Sequence, residues 1–270
     1  MHAPLKASEA GPLPHQGQGG KQQWRFFDDF ASRYAMKDVF PSSAWARRAE
    51  LEFGLELAGL AQRFLGRVVD VGAGIAAPAR FLQGRYSGYW AVDGSWAMAS
   101  AAKRFHRHNP RFFAVTADAQ ALPVREALFD VAFSIGALHH MDDPVQALRC
   151  VFRSLKPGGV LVVREPMRTN PLLQILRYLR MLVDRHYSRH QKFFRIGELT
   201  AMACSAGFAV EKVAGYGLFS TPFAQVVLRP VAVTLPLSRA AVRLDQWLAK
   251  RWPGLSRLLS FNVVLVARRP

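Results

Sequence analysis

The residues of this chain best placed to do chemistry are three carboxylates and a glycine turn. Asp70 precedes Gly72-Ala73-Gly74, Asp93 precedes Gly94-Ser95, and Asp118 precedes Ala119. Glycine lets a backbone turn tightly and approach a ligand where a Cβ would collide. The run from Val68 to Ala77 is an apolar strand entering such a turn, with Pro78 in the first turn of a following helix. That strand, turn and helix context points to a nucleoside-cofactor site. Gly72-x-Gly74-x-x-Ala77 also satisfies a dinucleotide fingerprint, with Asp93 where a ribose-binding acid belongs. Asp70 separates the alternatives, because a carboxylate beside the first glycine repels a pyrophosphate and suits a cation. The other role open to Asp70 is to accept backbone hydrogen bonds in a tight turn.

These groups need a scaffold that brings strand ends together. Hydrophobic runs and turn residues predict strands at 65–71, 89–93, 111–116, 129–135, 160–163, 208–214 and 262–267. Helices are expected from Pro78, over 96–106 with Ser95 as N-cap, and over 144–155, the last ending at Lys156-Pro157-Gly158-Gly159. The alternation predicts an α/β fold in which the three carboxylates share the carboxyl edge of a parallel sheet, where ligands bind. There Asp93 can accept from ribose hydroxyls and Asp118 from an adenine amino group.

In these motifs the chain resembles the class I S-adenosylmethionine-dependent methyltransferases, in particular their small-molecule subgroup. The resemblance is carried in order by Asp70-x-Gly72-x-Gly74, Asp93-Gly94-Ser95-x-x-Met98, Asp118-Ala119, Leu138-His139-His140-Met141-Asp142-Asp143-Pro144 and Leu155-Lys156-Pro157-Gly158-Gly159. It implies a doubly wound, seven-stranded, mainly parallel sheet closed by an antiparallel hairpin, and S-adenosyl-L-methionine as cofactor. The cofactor-binding residues it implies are Asp70, Gly72, Ala73, Gly74, Asp93, Gly94, Asp118, Ala119 and Ser134. Two departures stand out: Ala76 replaces a third glycine and should narrow the loop, and Gly94 replaces a large apolar residue, leaving Trp96 or Met98 to cover adenine. Trp24-x-Phe26-Phe27-Asp28-x-Phe30-Ala31-x-x-Tyr34 resembles the aromatic helix that members fold across the cofactor.

In this family a methyl group passes in line from a sulfonium to a nucleophile, so orientation and exclusion of water contribute much. A general base helps when the acceptor carries a proton of high pKa. The candidate catalytic residues are His140, as base or as structural hydrogen-bond partner, and Glu165, expected to face the acceptor directly after strand five. His186 and His190 are weaker candidates.

Half of the 270 residues are apolar, enough for a core without disulfides. Cys150 and Cys204 lie in expected helices without metal-ligand spacing and are expected to be reduced, buried and inert, which suits a cytoplasmic protein. Residues 1–22 are expected as a disordered tail and 23–270 as the methyltransferase domain, with lid insertions at about 167–192 and 220–260. Charge is uneven: up to Pro144, 16 Lys and Arg face 14 Asp and Glu, whereas the remainder holds 20 against 5, or +15 of the net +17. Both insertions interleave apolar helical positions with arginine and are too short or proline-broken to span a bilayer, which allows a lid, a peripheral contact with an anionic membrane, or both. Ser134-Ile135-Gly136 stands where base-methylating members carry an Asn or Asp followed by Pro-Pro-aromatic, which argues against nucleic acid. The acceptor is therefore expected to be a small or lipid-like molecule. The acceptor atom, oxygen, nitrogen or carbon, is left open; the rival readings are a silent cofactor-binding module, a nucleic-acid methyltransferase using the basic C-terminal half, and a nicotinamide-dependent reductase, and oligomeric state leaves no trace in the sequence.

Overall fold

The computed structural model describes residues 35–168, 170 and 193–270. The tail at 1–22, the aromatic segment at 24–34 and the first insertion from 171 onward, with His186 and His190, lie outside the described residues. A seven-stranded sheet forms the centre, in the order β3-β2-β1-β4-β5-β7-β6. Its strands are β1 (Arg67–Val71), β2 (Gly88–Asp93), β3 (Phe112–Thr116), β4 (Phe129–Ile135), β5 (Leu155–Pro166), β6 (Ala209–Tyr216) and β7 (Asn262–Arg268). The first five run parallel, and β7 inserts antiparallel between β5 and β6. This is the doubly wound sheet expected from the motifs.

Alternation along the strands divides the core in two. Val69, Val71, Leu161, Val163 and Leu265 belong to one cluster, with Leu148 and Val151 of α4 (Pro144–Ser154) and Leu199 and Ala203 of α5 (Ile196–Ser205). Val68, Val131, Phe133, Val162 and Val264 face the other way, under Leu51 and Leu55 of α1 (Pro41–Leu57). Strands covered on both faces read as unbroken apolar runs, which is why their positions were visible and their facing was not. The short α2 (Ala77–Phe81) and α3 (Trp96–Phe105) follow β1 and β2. Strand β5 starts earlier than the sequence predicts, because Lys156-Pro157-Gly158-Gly159 is a bulge: the pairing moves from Phe129–Leu155 to Val131–Val160.

After β6 come α6 (Thr221–Gln225), α7 (Val231–Arg251) and α8 (Pro253–Leu259). Much of this insertion is one 21-residue helix, α7, which accommodates Pro236 in its second turn. The insertion contributes none of its residues to the lining of the cavity described below. It packs on the flank of α1, where the small residues Ala46 and Ala49 meet Ala224 and Val242, and Ser238 Oγ donates to Ser42 O at 2.8 Å. No helix among the described residues is long and apolar enough to cross a membrane. Cys150 is buried, but Cys204 is exposed, contrary to expectation, because Leu199 and Ala203 take the inward face of α5.

Asp245, buried in α7, fastens this insertion by accepting from the amides of Phe219 at 2.9 Å and Ser220 at 2.8 Å. Asp245→Ala should destabilise the protein by about 1–3 kcal/mol. The exposed Arg243→Ala should stay within about 0.5 kcal/mol of wild type. Thermal unfolding of the two variants checks this.

Candidate active site

A cavity of about 500 Å³ opens at the carboxyl ends of β1 to β4 and runs on between β5 and α1. Its first end is built by turns. The amides of Gly72 and Ala73 donate to Val92 O at 2.8 and 3.1 Å, bending the chain after β1. Gly72 has φ +69°, and a Cβ there would collide with that of Ala137. Gly74 has φ +57°, and a Cβ there would meet nothing within 4 Å, so the turn offers bare backbone to the cavity. Its amide donates to Asp93 Oδ2 at 2.8 Å, while Asp93 Oδ1 accepts from Ser95 N at 2.9 Å. Ser95 caps α3 as predicted, accepting from Met98 N at 3.1 Å. Met98 lines the cavity with Gly94, whereas Trp96 is 70% exposed and points away from it. Asp118 accepts from Gln120 N at 2.8 Å and lines the cavity with Ala119. Ala76 keeps a left-handed backbone (φ +55°) but is buried outside the cavity wall and does not narrow it.

Asp70 is 1% exposed at the end of β1 and accepts from Tyr89 Oη at 2.7 Å. Burial pushes its carboxyl up to about 7; the Tyr89 hydrogen bond opposes this, while the charges of Asp93 and Asp38 add to it. Asp70, Asp93, Asp118 and Asp142 thus make one end of the cavity acidic, and the lining cations Arg47 and Arg164 both belong to the other. Buried acid beside bare backbone fits a ligand with a sulfonium and an ammonium, and is hostile to a pyrophosphate.

The second end was missed from sequence. Arg47, Glu50, Leu51 and Gly54 share one face of α1 and line the cavity. Arg164 Nη2 pairs with Glu50 Oε2 at 3.0 Å, and Arg47 Nη1 with Asp38 Oδ1 at 2.9 Å. Burial raises the Asp38 pKa, with Arg47 opposing. Arg164 Nε is buried with no hydrogen-bond partner among the described residues. The available signal was an arginine directly after the apolar run Val160 to Val163, next to Glu165 at the end of a central strand.

Glu165 does not face the acceptor. Side chains alternate along β5, so Val162 and Arg164 point into the cavity while Val163 and Glu165 point to the face under α4 and α5. Fully buried, Glu165 accepts from the amides of Ala137 at 2.9 Å and Leu138 at 2.8 Å, and from His139 Nδ1 at 2.6 Å. It clamps the loop leaving β4. That loop places His140 on the cavity wall, stacked against His139 with 3.9 Å between ring centroids. Burial, and secondarily the charge of His139, hold the His140 imidazole well below its usual pKa. Ser134 also departs from expectation: it is buried and does not line the cavity, where Ile135 and Gly136 stand instead.

Residues 69–163 match the family described as a methyltransferase domain. A ubiquinone biosynthesis O-methyltransferase of Pseudomonas fluorescens is 31% identical over 168 residues, covering 59% of this chain and 70% of that protein. A demethylmenaquinone methyltransferase of Renibacterium salmoninarum is 28% identical over 179 residues, 64% of this chain and 73% of its own. An uncharacterised transposon protein of Streptomyces fradiae is 34% identical over 128 residues, and there the chain spans only 36% of the relative's length. Among solved structures, an S-adenosylmethionine-dependent methyltransferase from Thermotoga maritima has a TM-score of 0.62 at 22% identity, covering 92% of this chain and 99% of that one. The [4+2]-cyclase SpnF has a TM-score of 0.63 at 18% identity, covering 97% and 99%, so the fold alone does not fix the reaction. With the acidic glycine-turn pocket and the Pseudomonas relative agreeing, the chain belongs to the class I S-adenosylmethionine-dependent methyltransferases.

Proposed function

We propose that the protein methylates an oxygen of a small or lipid-like aromatic acceptor whose hydroxyl ionises readily, such as a quinone precursor. The observation that carries this reading is the difference between the two ends of the cavity: acids gathered around Asp70, and at the other end the guanidiniums of Arg47 and Arg164, each held in place by one acid, Asp38 or Glu50. The relatives named for ubiquinone biosynthesis and demethylmenaquinone support the same acceptor class. S-adenosylmethionine supplies an activated methyl group on its sulfonium. Asp70 holds the cofactor's ammonium, the backbone of Gly72, Ala73 and Gly74 faces its methionine end, Asp93 and Gly94 take the ribose, and Asp118, Ala119 and Met98 take the adenine. Arg164, already braced by Glu50, stabilises the acceptor as its oxyanion, so that little base strength is needed. His140, whose charged form is disfavoured, serves as a neutral hydrogen-bond partner that orients the hydroxyl, and the proton of the readily ionised hydroxyl leaves to solvent. Glu165 and His139 are positioning residues that hold the loop carrying His140.

Cofactor affinity should fall as pH drops below about 7, by up to about tenfold per unit, because Asp70 takes up a proton there. Asp70→Asn should weaken binding by about tenfold or more and flatten that dependence, since it removes one partner of a buried charge pair. The same variant should gain stability over wild type at pH 8 but not at pH 4. A folded-state pKa raised from 3.8 to about 7 means the wild type bears a growing cost between those values, fully present above the upper one. Calorimetric titration and thermal melts across pH measure both effects.

Labelled-methyl transfer to a panel of phenols, amines and nucleic acids tests the acceptor. Phenols should be methylated on oxygen. Arg164→Lys should lower kcat/KM by about 10- to 100-fold and move the pH profile to higher pH, with cofactor affinity within about twofold. A preference for amines, or an unchanged Arg164→Lys profile, would sink the oxyanion reading.

A further inference from the structure

The outer face of the α7–α8 pair has no partner among the described residues. Val233, Leu237, Leu244 and Trp247 of α7 are 48 to 54% exposed, and Leu255 and Leu258 of α8 are 40 and 52% exposed. The α7 positions repeat at helical spacing over the fifteen residues from Val233 to Trp247, a ridge about 21 Å long at a rise of 1.5 Å per step. Trp247 and Trp252 meet edge to face at the corner between the helices, 5.1 Å between centroids, both about half exposed. This ridge is distinct from the buried face of α7, where Thr234, Ser238, Ala241, Val242, Asp245 and Leu248 pack inward.

Charge is sorted on the same face. Residues 220–260 contain six Lys and Arg, all exposed, and a single acid, Asp245, which is buried and occupied by backbone amides. Arg239, Arg243 and Lys250 fall along one flank of the ridge, and Arg239 also stacks over Trp45 of α1 at 4.9 Å. A strip of apolar side chains with aromatic residues at one end and cations along its edge is the pattern of a helix lying in a lipid headgroup region.

We propose that the α7–α8 face docks the protein on an anionic bilayer surface, with the ridge in the headgroup and acyl boundary and the cations against lipid phosphates. Charge complementarity selects this occupant. A second copy of the chain would bring Arg239, Arg243 and Lys250 against their own kind across a two-fold interface. A nucleic acid would match the cations but leave Val233, Leu237 and Leu244 without a counterpart. The inference stands apart from the identity of the methyl acceptor, since it concerns a surface that does not line the cavity.

Co-sedimentation of the full chain with phosphatidylcholine vesicles, with and without phosphatidylglycerol, tests it without any methyl acceptor. Binding should be about tenfold or more stronger to the anionic vesicles and weakened by salt. Leu244→Glu with Trp247→Glu, and separately Arg239→Glu with Arg243→Glu, should each reduce binding about tenfold while cofactor titration stays unchanged. If the first pair impairs folding, the second pair and the salt dependence still decide. Absence of wild type from both pellets would overturn the proposal. So would equal binding to both lipids, a concentration-dependent dimer dissolved by these substitutions, or preferential retention of duplex DNA.

Discussion

Glu50 fastens the walls of the cavity together. From the middle of α1 its Oε2 pairs with Arg164 of β5, while its Oε1 accepts from Asn262 of β7 at 2.7 Å and lies 3.4 Å from the Thr221 hydroxyl of α6. One carboxylate thus joins the covering helix, two central strands and the start of the α6–α8 insertion, at 5% exposure. A charge buried this deeply is tolerable only when its partners are all in place, so the contact specifies one docking of α1 on the sheet. That docking fixes where Arg47, Leu51 and Gly54 enter the cavity and how Arg164 is aimed. A second buried carboxylate, Glu165, performs the matching service on the opposite face of the sheet, holding the loop from Ala137 to His139 against the Gly72 turn.

Asp70 is treated in the opposite way. The charges that act on it, those of Asp93 and Asp38, are both negative, and among the described residues the Tyr89 hydroxyl alone offsets its burial. Keeping it ionised near neutrality costs on the order of 4 kcal/mol, from a pKa raised from 3.8 to about 7. The fold braces Glu50 and Glu165 with donors yet leaves Asp70 under-compensated, an environment that suits a cation. The two ends of the cavity therefore differ in kind: the arginine end is neutralised internally by Asp38 and Glu50, and Asp70 at the other end is not.

The glycine turn, the strand-end acids and the Ser95 cap were legible because each depends on residues adjacent in sequence. The ends of β1, β2 and β4 follow from the same local cues. What could not be read was facing. Strand β5 is covered on both sides, so Val162, Val163, Arg164 and Glu165 carry no apolar and polar alternation to show which pair enters the cavity, and a one-residue slip exchanges the two. Arg164 and Glu165 trade places in this way: the acid expected at the acceptor is a clamp beneath the loop, and the arginine passed over is in the wall. Ser134 fails for the same reason. Helix α1 was silent because its inward face mixes Arg47 and Glu50 with Leu51 and Gly54, a pattern that becomes meaningful only once the partners on β5 and β7 are known. The extent of α7 was hidden by Pro236, which lies early enough in the helix that only the first turn loses a hydrogen bond.

Helix α1 also links the cavity to the rest of the surface. One of its faces lines the cavity, and another presents Ala46 and Ala49 to α6 and α7, small residues that let the helices approach closely. Arg47 bridges both surroundings, pairing with Asp38 through one nitrogen while its Nε donates to Ala224 O of α6 at 3.2 Å. Helices pack at interaxial distances of about 8–10 Å, so α7 forms a second helix layer outside α1 and its exposed ridge faces away from the cavity. The cavity wall and the insertion are thus joined through α1, the element common to both.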